Sequence, residues 1–144
     1  IASGVVVEVV NRVGPGERGT RGQETGNYVI IKSKIKGETV YFKYAHLDRI
    51  DVKEEQEIDE KTTFGLSGTT GNASGLPENR QHVHIEASTT SQFYPGKGNG
   101  GTELDTRIDP LQFFETEIDE NGQPILKTLT QPQNNSDKHS VEKL

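Results

Sequence analysis

Polar and apolar residues alternate without a break along Gln81-His82-Val83-His84-Ile85-Glu86-Ala87. This is the period of a half-buried β-strand. Residues two apart in a strand share a face, so His82, His84 and Glu86 project to one side and Val83, Ile85 and Ala87 to the other. The same reading finds a β-branched strand over Gly4–Val10 and another over Asn27–Ser33. A third strand runs over Glu38–His46, joined to the second by a Lys36-Gly37 hairpin turn. In it Val40, Phe42, Tyr44 and His46 alternate with Thr39, Tyr41, Lys43 and Ala45, and His46 falls at the strand's end. A short strand is expected over Thr63–Leu66.

Between these strands the helical period is missing. Asp51–Lys61 is acidic and offers only Val52 and Ile58 as apolar anchors, so it reads as an extended, solvated connection. Asp109 is placed as the N-cap of a helical turn with Pro110 in its first position, and Phe113 and Phe114 pack on the sheet. Asn121-Gly122 marks a small hairpin. From about Lys127 the chain is polar, which predicts disorder. The expected fold is mostly β, an antiparallel sheet or sandwich with long loops and little helix. It occupies residues 1–115, and 116–144 form a C-terminal extension.

Two loops are rich in glycine. Gly14-Pro15-Gly16-Glu17-Arg18-Gly19 has the form G-x-G-x-x-G after a strand, the outline of a dinucleotide-binding turn. That chemistry needs a helix next, so that its N-terminus meets the pyrophosphate. Thr20–Asn27 is polar, contains Gly22 and Gly26, and has no helical period, which argues for a flexible hairpin connection instead. The second loop, Ser67–Gly75, leads through Leu76–Arg80 into the histidine strand, and its glycines allow tight turns close to a ligand.

Composition narrows the function. Only 29% of the 144 residues are hydrophobic and 16 are glycine, which suits a small β core with polar loops. The net charge is −6 with basic residues scattered, against nucleic acid as a partner. There is no cysteine, so a thiolate metal site and disulfides are both excluded. No apolar run is long enough to span a membrane. The oligomeric state is left open.

The chemistry lies in three pieces taken in order: Tyr44-Ala45-His46-Leu47, the loop Gly65-Leu66-Ser67-Gly68-Thr69-Thr70-Gly71, and His82-Val83-His84-Ile85-Glu86. Together they resemble the lysostaphin-type zinc metallopeptidases, the peptidoglycan endopeptidases of bacterial cell walls and phage lysins. Ala2–Val6 and Arg107–Pro110 are similar to that family too, so the resemblance covers Ile1 to Phe114. It implies that His84 is a zinc ligand, that His82 is a catalytic histidine beside the metal's water, and that His46 is a second catalytic histidine. Zinc can lower the pKa of a water to about 7 and polarise a carbonyl, and a nearby imidazole can take the proton. Glu86 is either a partner that orients one ring or a surface carboxylate. Further implications are peptidoglycan peptides as substrate and an extracellular or cell-envelope location.

In one respect the chain departs from the family. The metal site there is completed by an H-x-x-x-D motif upstream of the first strand, and this sequence has none. The expectation is that the motif lies upstream of Ile1, and that these 144 residues alone bind zinc weakly and are inactive. The longer connection from Leu76 to Gln81 is a second departure, at the rim of the expected groove. A degenerate domain of the same fold, which binds cell wall or activates another hydrolase, is the alternative, although it would have no reason to keep three histidines. Among carriers of related β architecture, lipoyl or sugar-phosphotransfer, a lipoyl carrier would need a lysine at a hairpin tip, and Lys36-Gly37 is a candidate whose neighbours are unremarkable.

Overall fold

The computed structural model describes residues 3–20, 23–77, 80–93, 105–122 and 124–128. In chain order the strands are β1 (Gly4–Val10), β2 (Asn27–Ile35), β3 (Glu38–Ile50), β4 (Glu57–Ile58), β5 (Gly65–Ser67), β6 (His84–Ser88), β7 (Arg107–Ile108), β8 (Phe114–Ile118) and β9 (Pro124–Thr128). Seven of them form one antiparallel sheet in the order β4-β1-β2-β3-β6-β7, with β5 also on β3, and β8 pairs with β9. The mostly-β expectation holds, and the only helices among the described residues are short 3₁₀ turns.

Strands β1, β2, β3 and β6 bury apolar residues on one face of the sheet. Val6, Val29, Ile31, Val40, Phe42, Tyr44 and Ala87 form the core, and Val83, Ile85 and Ile108 pack against it. Val52 and Ile58 anchor the acidic connection as expected, at 8% and 6% exposed. The 3₁₀ turn Pro110–Phe113 is capped by Asp109, whose carboxylate accepts from the Leu111 N–H at 2.9 Å. That turn delivers Phe113 and Phe114 edge-on to Phe42, each with ring centroids 5.5 Å away. Edge-to-face packing of this kind is favourable beyond the area it buries.

Several boundaries move. β2 runs two residues past Ser33, and the strand expected over Thr63–Leu66 pairs over Gly65–Ser67. The histidine strand pairs regularly only from His84, and His82 joins through an isolated bridge to Gly68. Lys127 and Thr128 pair within β9, and the rest of the expected disordered tail lies outside the described residues.

The largest difference concerns β3, which does not end at His46 but continues to Ile50. Asn27 pairs with Leu47 and Val29 with Tyr44, so Ala45 and His46 together oppose Tyr28 alone. This is a β-bulge, and His46 takes the left-handed φ of +63°. The bulge shifts the phase of the strand. Before it Val40, Phe42 and Tyr44 face the core, and after it Leu47 does. Simple alternation puts His46 in the core set, but the bulge turns it away. β3 also changes partner there: Tyr41–Ala45 pair with β6, whereas Leu47–Ile50 pair with β5. The sheet forks at the bulge.

Candidate active site

Three imidazoles meet at this fork. The His46 ring lies 5.6 Å from that of His82 and 5.9 Å from that of His84, centroid to centroid. Ala45 pairs with His84 across β3 and β6, so the strand register carries His84 to the bulge. His82 arrives through the bridge to Gly68. The three histidines picked out in the sequence are therefore brought together, His46 buried and the other two exposed.

The neighbours of each ring decide which nitrogen carries the proton. His46 Nδ1 lies 2.8 Å from the Thr70 carbonyl oxygen, and His82 Nδ1 lies 3.0 Å from that of Arg80. A carbonyl only accepts, so both Nδ1 atoms donate, and in the neutral rings Nε2 holds the lone pair. His84 is the reverse. Its Nε2 lies 2.9 Å from Glu86 Oε2, so it donates to that carboxylate and leaves Nδ1 as the lone-pair nitrogen. Glu86 is thus a partner of His84, and Arg107 holds its other oxygen at 3.7 Å. Burial lowers the His46 pKa; the Thr70 carbonyl opposes this, while His84 and His82 add to it. The neutral ring is favoured.

Beneath His46 lies a buried polar network that sequence reasoning missed. Asn27 and Thr70 are both fully buried. The Thr70 hydroxyl donates to the Leu47 carbonyl at 2.9 Å and accepts from the Asn27 N–H at 3.0 Å. The Asn27 side chain donates to the Val13 and Leu47 carbonyls and accepts from the Arg12 and Val13 N–H groups. Together they fix the backbone on both sides of the bulge, and the Thr70 carbonyl then fixes the ring. The only signal in the sequence was a polar residue directly after a glycine at the head of an apolar strand.

The two glycine loops are stitched to each other. Asp48 Oδ1 accepts from the Gly16 N–H at 2.9 Å and from the Thr69 N–H at 3.3 Å. The Ser74 hydroxyl donates to the Gly16 carbonyl at 2.8 Å, and Gly71 and Asn72 donate to the Glu17 and Glu24 carbonyls. The described residues of the first loop, expected to be a flexible connection, are held against the second loop by these bonds. Among the described residues no helix follows its glycines, so they show no pyrophosphate-binding geometry. The Leu76–Gln81 connection lies partly outside the described residues.

The model of Peptidase family M23 matches residues 1–95 of the chain. Among curated proteins, the peptidoglycan DD-endopeptidase ShyA of Vibrio cholerae is 39% identical over 61 residues, which are 42% of this chain and 12% of ShyA. The chain therefore spans a small part of that relative's length. Among solved structures, that of LytU is similar at a TM-score of 0.47 and 21% identity, over 78% of this chain and 59% of that one. A family match over residues 1–95 of 144 settles the membership: the chain belongs to peptidase family M23.

Proposed function

We propose that the chain is the catalytic domain of a zinc endopeptidase that hydrolyses peptide bonds in bacterial peptidoglycan, and that it works in the cell envelope or outside the cell. The observation that carries this reading is the meeting of three imidazoles of fixed tautomer at the sheet fork. Family membership and the likeness to ShyA, a peptidoglycan DD-endopeptidase, support it.

The donor set fits zinc in part. A histidine that ligates a metal commonly donates its other N–H to a carboxylate, as His84 does to Glu86. His84 Nδ1 is therefore the proposed ligand atom. Among the described residues no three His, Cys, Asp or Glu side chains form a group that could hold a metal. A catalytic zinc takes three protein ligands, so the remaining donors would come from outside the described residues. When bound, the ion supplies Lewis acidity, polarising the scissile carbonyl and making water a competent nucleophile near neutral pH.

The chain's own residues supply the rest. His46 Nε2 and His82 Nε2 carry lone pairs, because each ring's other nitrogen is committed to a carbonyl. Either can take the proton from the attacking water and return it to the departing amine. The neutral His46, held from behind by Thr70, is ready for the first of these tasks. Once protonated, the same ring donates a hydrogen bond to the oxyanion that develops on the peptide carbonyl.

One observation favours a second reading. That no three-ligand group occurs among the described residues suits a non-catalytic domain that binds cell wall or activates another hydrolase. Zinc content of the full natural gene product, with His84→Ala alongside, separates the two, together with chromatography of purified peptidoglycan after incubation. A single zinc per chain, lost in the variant along with the cut crosslinks, supports the endopeptidase. Zinc absent from both proteins overturns it and leaves the binding module.

A further inference from the structure

Beside the histidines lies a small cleft of about 120 Å³, bounded by Arg12, Gln23, Thr25, Tyr28 and Lys43. It adjoins the catalytic fork directly, because the Thr25 carbonyl accepts from the His46 N–H at 3.2 Å. Two of its walls are cationic, in a chain with 22 acidic and 16 basic residues. Neither cation has a carboxylate partner among the described residues. Lys43 pairs in register with Glu86 across β3 and β6, an arrangement that would ordinarily give an ion pair. Glu86 is turned instead to His84 and Arg107. The Lys43 ammonium lies over two rings, 5.0 Å from the centroid of Tyr28 and 4.7 Å from that of Phe93. The Glu8 carboxylate accepts from the Tyr28 hydroxyl at 3.2 Å and does not line the cleft.

We propose that this cleft is a carboxylate-binding subsite, in which Lys43 and Arg12 receive a carboxylate of the peptide substrate. The inference rests on the endopeptidase reading for the identity of the ligand, but not for the binding itself. The two aromatic rings hold the ammonium in place without neutralising it, so a substrate anion meets a preset charge. The arginine offers a planar pair of N–H donors that matches a carboxylate. The volume admits a carboxylate and the carbon that bears it, but not a length of chain.

Register sets the distance. Lys43 lies two residues along β3 from Ala45, the partner of His84, which is about 7 Å at the pitch of a strand. An extended peptide has the same pitch. The recognised carboxylate would then sit roughly two residues from the bond presented to the histidines. Peptides amidated at that position would be poor ligands.

The test is binding of an N-acetylated tetrapeptide with a free C-terminal carboxylate, compared with its C-terminal amide, by amide chemical shifts of the full chain. The acid is expected to bind about tenfold more tightly than the amide, the worth of a charge-assisted hydrogen bond. The shifts should centre on Thr25, Tyr28 and Lys43. Lys43→Met keeps the aliphatic stem against the rings, and Arg12→Gln changes an exposed side chain. The double variant, checked for an unchanged thermal midpoint, should lose the preference for the acid. Equal binding of acid and amide by the wild type overturns the subsite, as does a preference that survives in the double variant. Because the readout is binding, a chain that prefers the acid while its full natural gene product leaves peptidoglycan uncut keeps the subsite and refutes the endopeptidase. A chain that cuts peptidoglycan with no such preference does the opposite.

Discussion

Asn27→Ala probes the network that holds the bulge. Asn27 is 0% exposed. Its side chain accepts from the Arg12 and Val13 N–H groups at 2.8 and 2.9 Å, and donates to the Val13 and Leu47 carbonyls at 2.7 and 3.1 Å. Truncation affects these four unequally. The Leu47 carbonyl keeps the Thr70 hydroxyl at 2.9 Å, and the part-buried Arg12 N–H can turn to water, so each loses roughly 0.5–1 kcal/mol. The Val13 N–H and carbonyl lose their partner in a buried setting, at about 1–2 kcal/mol each. The total is about 3–6 kcal/mol, a large share of a small domain's stability. Urea unfolding by linear extrapolation measures it, with exposed Asn11→Ala on the same segment as a control expected within about 0.5 kcal/mol of wild type. A loss below about 1 kcal/mol for Asn27→Ala, with the slope unchanged, would refute the claim that this network braces the bulge.

Other perturbations test the rings and the loops. Glu86→Gln leaves His84 without an anionic partner and should weaken zinc binding by the full gene product about 10- to 100-fold in a chelator competition; unchanged affinity would reduce Glu86 to a surface carboxylate. Gly71 has a φ of +74°, and a Cβ there would strike the Glu24 carbonyl and the Gly26 backbone. Gly71→Ala should therefore cost at least about 2 kcal/mol in urea unfolding, combining backbone strain with overpacking, and a neutral result would contradict the close approach of the two loops. Because burial lowers the His46 pKa below its ordinary 6.5, an NMR titration of the zinc-free protein should place its midpoint under that value. The unfolded chain then binds the proton more readily than the folded one, so the stability linked to this ring is fully present above pH 6.5 and falls as pH drops through the folded pKa. His46→Gln should flatten that slope, and a midpoint at or above 6.5 would show that burial does not control the ring.

What the sequence determined by itself was periodic or local. Alternation identified β1, β2, most of β3 and the histidine strand, because a strand with one buried face must write a two-residue period into its side chains. Asp109-Pro110 specified its turn through a cap and a preset φ, both local properties. The common face of His84 and Glu86 followed from the same period, and their 2.9 Å contact confirms it. His46 was legible as a residue of interest, but its orientation was not. Alternation grouped it with Phe42 and Tyr44, and only the bulge opposite Tyr28 turned it toward His82 and His84. An extra residue in one strand is defined by pairing with another, so no local pattern announces it. The bracing roles of Asn27, Thr70 and Asp48 were not legible for the same reason, beyond the place of Asn27 after a glycine at the head of an apolar strand. Their partners lie 14 to 43 residues away in the chain, and a polar side chain becomes a buried brace only when distant backbone groups close around it. The cleft at Lys43 likewise exists because the fold turns Glu86 toward His84 and Arg107, away from the lysine opposite it.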